Sequence, residues 1–245
     1  MSRSHGFPYR DFLGVCLQKR HPRITLLIGS DMSCRMSAYV GLDRTIWLSL
    51  CLEIQHIAEE VMISTKRLMI RPFTASDAAD LYEYLSNPTI YNYEPGEPIN
   101  IDRAMQLSQE RAATTDFWAV ELTDTGKMIG HIYFKQIEPH ELRTWEIGYI
   151  VNPAYQGEGY ATEAVAALLK KEFKEKHIHR VFAHCNPENL ASWKLLERVG
   201  LRREGLLRKN VFFRRGPNGE ELWTDTYEYA ILKEEADERL REGKA

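Results

Sequence analysis

The chain has 245 residues, 32 Lys and Arg against 35 Asp and Glu, a formal charge of −3 and 44% apolar content. That composition fits one large globular domain, or one domain with an extension, and gives no general electrostatic drive toward nucleic acid or anionic membranes. No apolar run approaches the ~20 residues that span a bilayer, no signal-peptide pattern opens the chain, and Cys16, Cys34, Cys51 and Cys185 lack Cys-x-x-Cys spacing. The thiols therefore read as free in a reducing cytoplasm.

The character of the chain changes near residue 62. Residues 1–61 hold isolated apolar clusters, with a short strand expected at 24–28 and a short helix at 46–61. They read as an N-terminal extension without an assigned role, either unstructured or upstream of a true start at Met62. The domain proper is expected over 62–235. Residues 68–72 alternate as a strand, and Ser76-Asp77 opens a helix that Asn87-Pro88 ends. A second helix is expected over 101–112. Strands follow at 117–122 and 128–134, joined by a turn at 123–127 with Gly126 in place. Another strand covers 144–151, ended by Asn152-Pro153. Residues 161–173 carry Ala161, Ala164, Val165, Leu168, Leu169 and Phe173 on one helical stripe. A strand at 179–185, a helix at 189–199 closed by Gly200 and two strands around the 216–219 turn complete the order. Residues 236–245 read as a charged tail that frays.

Residues 149–163 read Tyr-Ile-Val-Asn-Pro-Ala-Tyr-Gln-Gly-Glu-Gly-Tyr-Ala-Thr-Glu. A strand ends, a glycine-containing loop follows, and a helix starts at once. A helix N-terminus presents unpaired N–H groups and a positive dipole end. Glycines let the main chain curl around an anion, so the run reads as a pyrophosphate cradle. It matches neither the Walker pattern nor G-x-G-x-x-G. Taken alone, these residues also suit an ordinary strand-to-helix loop.

In that setting, Gln156-x-x-Gly159-x-Ala161 resembles the acetyl-CoA loop of the GNAT superfamily of N-acetyltransferases. The likeness covers about residues 64–232. It implies an α/β (α+β) mixed sheet, mostly antiparallel and splayed at the acetyl-CoA site, with helices on both faces. It implies acetyl-CoA as co-substrate, an amine acceptor, and no metal. Carried over, Gln156, Gly157, Gly159 and Ala161 form the loop, and Glu158, Tyr160 and Thr162 add backbone amides. Main-chain groups of Tyr149, Ile150 and Val151 would pair with the pantetheine amides and polarise the thioester carbonyl.

Residues 186–201 look like the family's second hallmark, N-x-x-S followed by a leucine-rich helix and a glycine. Asn189 is a good N-cap, and the resemblance adds a contact to the pantetheine arm. It makes Ser192 a hydroxyl near the sulfur, able to protonate the leaving thiolate; capping and packing alone are the alternative. Many members use a tyrosine as this acid. No tyrosine follows this helix at that position, which favours Ser192 or a water. The family often places a carboxylate on the strand before the loop, and Glu146 stands there as a base for the amine, or as a structural partner of backbone or Arg. In a strand it should face opposite to Trp145 and Ile147.

Residues 219–229 resemble a stretch of the ribosomal-protein-alanine N-acetyltransferase branch (RimJ/RimL-like), with Thr226 where that branch commonly has histidine. Residues 91–98, with two tyrosines and two carboxylates, map to the acceptor-side loop, or form a solvated loop. His177, His179 and His184 lie close in sequence and are not read as a metal site. The expectation is a cytoplasmic acyltransferase (EC 2.3.1.-), monomer or homodimer, that moves acetyl from acetyl-CoA to a protein N-terminal amine or a small amine. No nucleic-acid or membrane partner is expected. The alternative is a catalytically inactive acyl-CoA-binding sensor.

Overall fold

A computed structural model describes residues 62–243. The extension, its three cysteines and the elements expected at 24–28 and 46–61 lie outside the described residues. The described elements are β1 (Ile63–Ser64), β2 (Leu68–Pro72), α1 (Ala78–Leu85), α2 (Ile101–Ala112), β3 (Phe117–Leu122), β4 (Met128–Gln136), β5 (Thr144–Val151), α3 (Tyr160–Glu175), β6 (Arg180–Cys185), α4 (Leu190–Arg198), β7 (Arg202–Arg215), β8 (Glu221–Leu232) and α5 (Lys233–Arg241). The strands form one open sheet in the order β1-β2-β3-β4-β5-β6-β8-β7. Among its neighbouring pairs, β5–β6 alone is parallel. The mixed, mostly antiparallel sheet is the expected one.

Strand alternation sorts the helices onto the two faces. On β3, Trp118, Val120 and Leu122 join a cluster with Val165 and Leu168 of α3 and Leu195 and Leu196 of α4. Ala119, between them in sequence, joins a second cluster with Leu81, Tyr84 and Leu85 of α1. Successive side chains of a strand point to opposite faces, so α3 and α4 cover one face and α1 the other. The local punctuation works as the sequence implies. Gly126 adopts φ 70° in the β3–β4 turn, and Gly200 adopts φ 99° after α4, where Leu201 N–H reaches Leu196 O at 2.9 Å.

Four elements differ from expectation. β1 is a two-residue strand that the sequence reading omitted. β7 and β8 are longer than the apolar runs within them, because a hairpin with one open side needs few buried residues. The fourth is α5, which runs through the boundary placed at 235/236. Ala236 is its one buried residue, too little to make a readable apolar stripe. Glu234 and Glu235 in its first turn and Arg239 and Arg241 in its last favour the helix dipole.

The feature that positions the site is where β5 and β6 stop pairing. They are bonded only at Thr144–Glu146 against Arg180–Phe182. Beyond that, β5 stays on β4 as far as Val151, and β6 stays on β8 as far as Cys185. The two strands part, and the β6-facing edge of residues 147–151 has no strand beside it.

Candidate active site

The gap between β5 and β6 opens into a cavity of about 1150 Å³, a little above the usual size for small-molecule and cofactor sites. Tyr149, Ile150 and Val151 line it from β5. Gln156, Gly157 and Gly159 line it from the loop, with Tyr160, Ala161 and Thr162 from the first turn of α3. Asn189 and Ser192 line it from α4. These are the sequence-predicted site residues except Glu158 and Glu146. Glu158 is exposed, and its carbonyl accepts from Arg67 Nη1 at 3.0 Å.

The loop is built on two left-handed glycines, Gly157 at φ 84° and Gly159 at φ 81°, where a side chain would strain the backbone. Gly159 is the N-cap of α3 and supplies no capping side chain. The first-turn amides of α3 are therefore left for a ligand. The Gln156 side chain turns inward and donates from Nε2 to Val151 O at 2.9 Å. From just before β2, Arg67 reaches across. It pairs with Glu163 at 2.7 Å, lies 4.3 Å over the Tyr160 ring and holds the Glu158 carbonyl. Glu163 also accepts from Thr65 Oγ1 at 2.6 Å, and although burial opposes it, these partners keep its carboxyl below the usual range. Sequence reasoning missed this clamp, because its members lie more than ninety residues apart.

At the gap, Asn189 caps α4 as expected: its Oδ1 accepts from Ser192 N–H at 3.1 Å. The Tyr149 hydroxyl donates to Ser192 O at 3.0 Å and lies 3.0 Å from Ser192 Oγ. Burial raises the Tyr149 phenol far above its ordinary value, so it stays protonated. A tyrosine does reach the serine, from the strand rather than from after the helix. The signal was available in strand parity, since Tyr149 shares a face with Trp145 and Ile147.

Glu146 has the opposite parity and is half-buried, while Trp145 and Ile147 are buried. It sits where β5 and β6 are still paired and is not among the residues that line the cavity. Its carboxylate stands 3.8 Å from His184 Nδ1, and His184 Nε2 stands 3.5 Å from Glu228. Glu146 first, then Glu228, raise the His184 imidazole against the opposing effect of burial.

The loop between α1 and α2 closes the cavity from the other side with Thr89, Asn92, Tyr93 and Glu94. It is tied down at several points. Tyr91 Oη donates to Leu85 O at 2.8 Å, and Arg214 of β7 donates to Tyr91 O and to Asn92 Oδ1. Glu94 is half-buried, and burial pushes its carboxyl up to about 7. The sequence placed this loop on the acceptor side without distinguishing Glu94 within it. Among the described residues, no three His, Cys, Asp or Glu are grouped to hold a metal, and no helix is long and apolar enough to cross a membrane.

A family model described as an acetyltransferase (GNAT) domain matches residues 67–202. The chain is 40% identical over 175 residues to an uncharacterized N-acetyltransferase, YnaD, of Bacillus subtilis, a match covering 71% of this chain and 98% of that one. A crystal structure of a GNAT-family acetyltransferase from Bacillus anthracis superposes with a TM-score of 0.64 at 36% identity, covering 71% of this chain and 99% of that one. Mycobacterium smegmatis RimJ, solved in complex with CoA-disulfide, superposes at 0.57 with 25% identity, covering 72% and 90%.

Proposed function

The chain belongs to the GNAT acetyltransferase family, and from that premise we propose that it transfers acetyl from acetyl-CoA directly to a primary amine, on a protein N-terminus or a small molecule. One observation carries this reading: a single cavity joins an anion-ready helix N-terminus to a gap in the sheet. The pyrophosphate takes the amides of residues 157–162. The pantetheine arm lies in the gap like an added strand and pairs with the free edge of Tyr149, Ile150 and Val151. The CoA-bound state of the RimJ structure is consistent with this donor. The thioester then lies beside Ser192. The amine nitrogen attacks the carbonyl carbon, the C–S bond breaks, and the sulfur leaves with a proton from Ser192 Oγ. Tyr149 acts through Ser192 as a positioning residue, holding the hydroxyl at 3.0 Å.

The test is thiol release from acetyl-CoA across a panel of N-terminal peptides, polyamines, amino acids and aminoglycosides. Saturable, amine-dependent release is expected. Tight acetyl-CoA binding with no turnover on any amine would overturn the reading in favour of a sensor.

The Arg67 clamp gives a donor-side prediction. Arg67→Ala frees Glu163 and the loop, and the dissociation constant for acetyl-CoA measured by calorimetry should rise about tenfold, or ~1.4 kcal/mol. An unchanged constant would mean that the glycines hold the loop without it.

A further inference from the structure

We propose that Glu94 is the general base: its carboxylate removes a proton from the acceptor ammonium at the mouth of the β5–β6 gap. This rests on the acetyl-transfer reading above and adds to it the group that prepares the nucleophile.

Three carboxylates line the cavity: Glu94, Glu163 and Glu188. Glu163 is committed to Arg67 and Thr65, and Glu188 is exposed. Glu94 is half-buried and makes no hydrogen bond or ion pair among the described residues, so its oxygens are available to a cation. It shares the cavity wall with Tyr149 of β5 and Ser192 of α4, at the gap between the strands. Burial is the main cause that raises the Tyr149 phenol on β5 and the Cys185 thiol on β6, and the Glu94 charge adds to both. The pinned loop keeps Glu94 there, through Tyr91 on Leu85 and Arg214 on Tyr91 and Asn92. Glu146 lies at the closed end of the gap and is turned to His184.

A primary alkylammonium has a pKa near ~10, so at neutral pH nearly every acceptor arrives protonated. The half-buried carboxylate attracts that cation and takes one proton, leaving a neutral amine to attack. The nitrogen gives up two protons in all. The first goes to Glu94 and then to solvent. The second, lost as the tetrahedral adduct collapses, replaces the one that Ser192 gives to sulfur. The products are the acetamide, CoA thiol and one released proton.

The titratable groups that the Glu94 charge acts on are Tyr149 of β5 and Cys185 of β6. Burial raises both, the thiol to about 12, so both stay neutral near pH 7. Arg198 acts on Tyr149, and Arg203 on Cys185. With its carboxyl at about 7, Glu94 is a base matched to neutral pH. Activity that depends on its ionised form should rise as pH rises through that value.

The experiment measures kcat/KM against pH, by thiol release, for the wild type, Glu94→Gln, Glu94→Asp and Glu146→Gln with the best amine of the panel. Calorimetry with acetyl-CoA reports whether each variant keeps its donor site. Glu94→Gln should lower kcat/KM about 100-fold at neutral pH, abolish the limb near pH 7 and leave acetyl-CoA affinity within about twofold. Its deficit should shrink as the pH approaches the pKa of the acceptor ammonium, a recovery that a merely structural role would not produce. Glu94→Asp should retain part of the rate, and Glu146→Gln should keep the limb. The proposal is overturned if Glu94→Gln keeps both rate and limb, or if the limb is lost in Glu146→Gln instead. A wild type that binds acetyl-CoA and releases no thiol with any amine overturns the acetyl-transfer reading, and the Glu94 assignment with it.

Discussion

Ser192→Ala is expected to lower kcat about 100-fold while leaving acetyl-CoA affinity within about twofold. The hydroxyl lies at the cavity wall, held by the Tyr149 phenol at 3.0 Å, and the backbone that places it is fixed separately. The Asn189 side chain caps the helix at Ser192 N–H, so α4 starts in the same place without the hydroxyl. The ground state loses little, since a thioester sulfur is a poor acceptor. The cost falls on the departing thiolate, where negative charge develops. Tyr149→Phe separates position from chemistry. It removes the bond to Ser192 O and Oγ and keeps the serine hydroxyl but no longer holds it, so a loss of about tenfold in kcat is expected. A Ser192→Ala enzyme with wild-type kcat would remove the acid role and leave thiolate departure to solvent.

What the sequence made legible follows from how local each feature is. The loop, the α3 stripe and the Asn189 cap are contiguous runs, and each stands where it was expected. Features that depend on contacts between distant segments were not legible. The Tyr149–Ser192 bond joins a strand to a helix 43 residues later. The Arg67–Glu163 clamp joins residues 96 apart. Neither leaves a periodic trace, because a single polar residue on a half-exposed strand has the same pattern whether or not it has a distant partner. Glu146 shows a related limit. Its parity was read correctly, but parity sets a face and not a position along the strand. The parting of β5 from β6 leaves it at the closed end. Glu94 was hidden in a loop rich in polar residues, where sequence alone does not separate a half-buried carboxylate from a solvated one.

Gly130→Ala should be the most destabilising small substitution near the site. Gly130 pairs with Val151 on β5. A methyl carbon placed there would stand 2.4 Å from Ile150 O and 3.0 Å from Val151 Cα. Those obstacles are main chain, so no rotamer change relieves them, and β5 itself must shift. Overpacking of this kind costs about 3 kcal/mol, which for a domain of this size lowers the melting temperature by roughly 6–12 °C. The same shift reaches function, because Ile150 and Val151 carry the free edge on which the pantetheine arm is proposed to lie. Asn152 N–H, bonded to Ile129 O at 2.8 Å, resists any outward movement just beyond. Acetyl-CoA affinity should therefore fall along with stability. Gly148→Ala on the facing strand is the matched control. Its added carbon would meet Tyr133 at 3.9 Å, an ordinary contact, so its melting temperature should stay within about 2 °C of the wild type. If Gly130→Ala melts as Gly148→Ala does, β5 yields freely at Ile150, and the close approach of β4 is not what holds the edge of the gap in place.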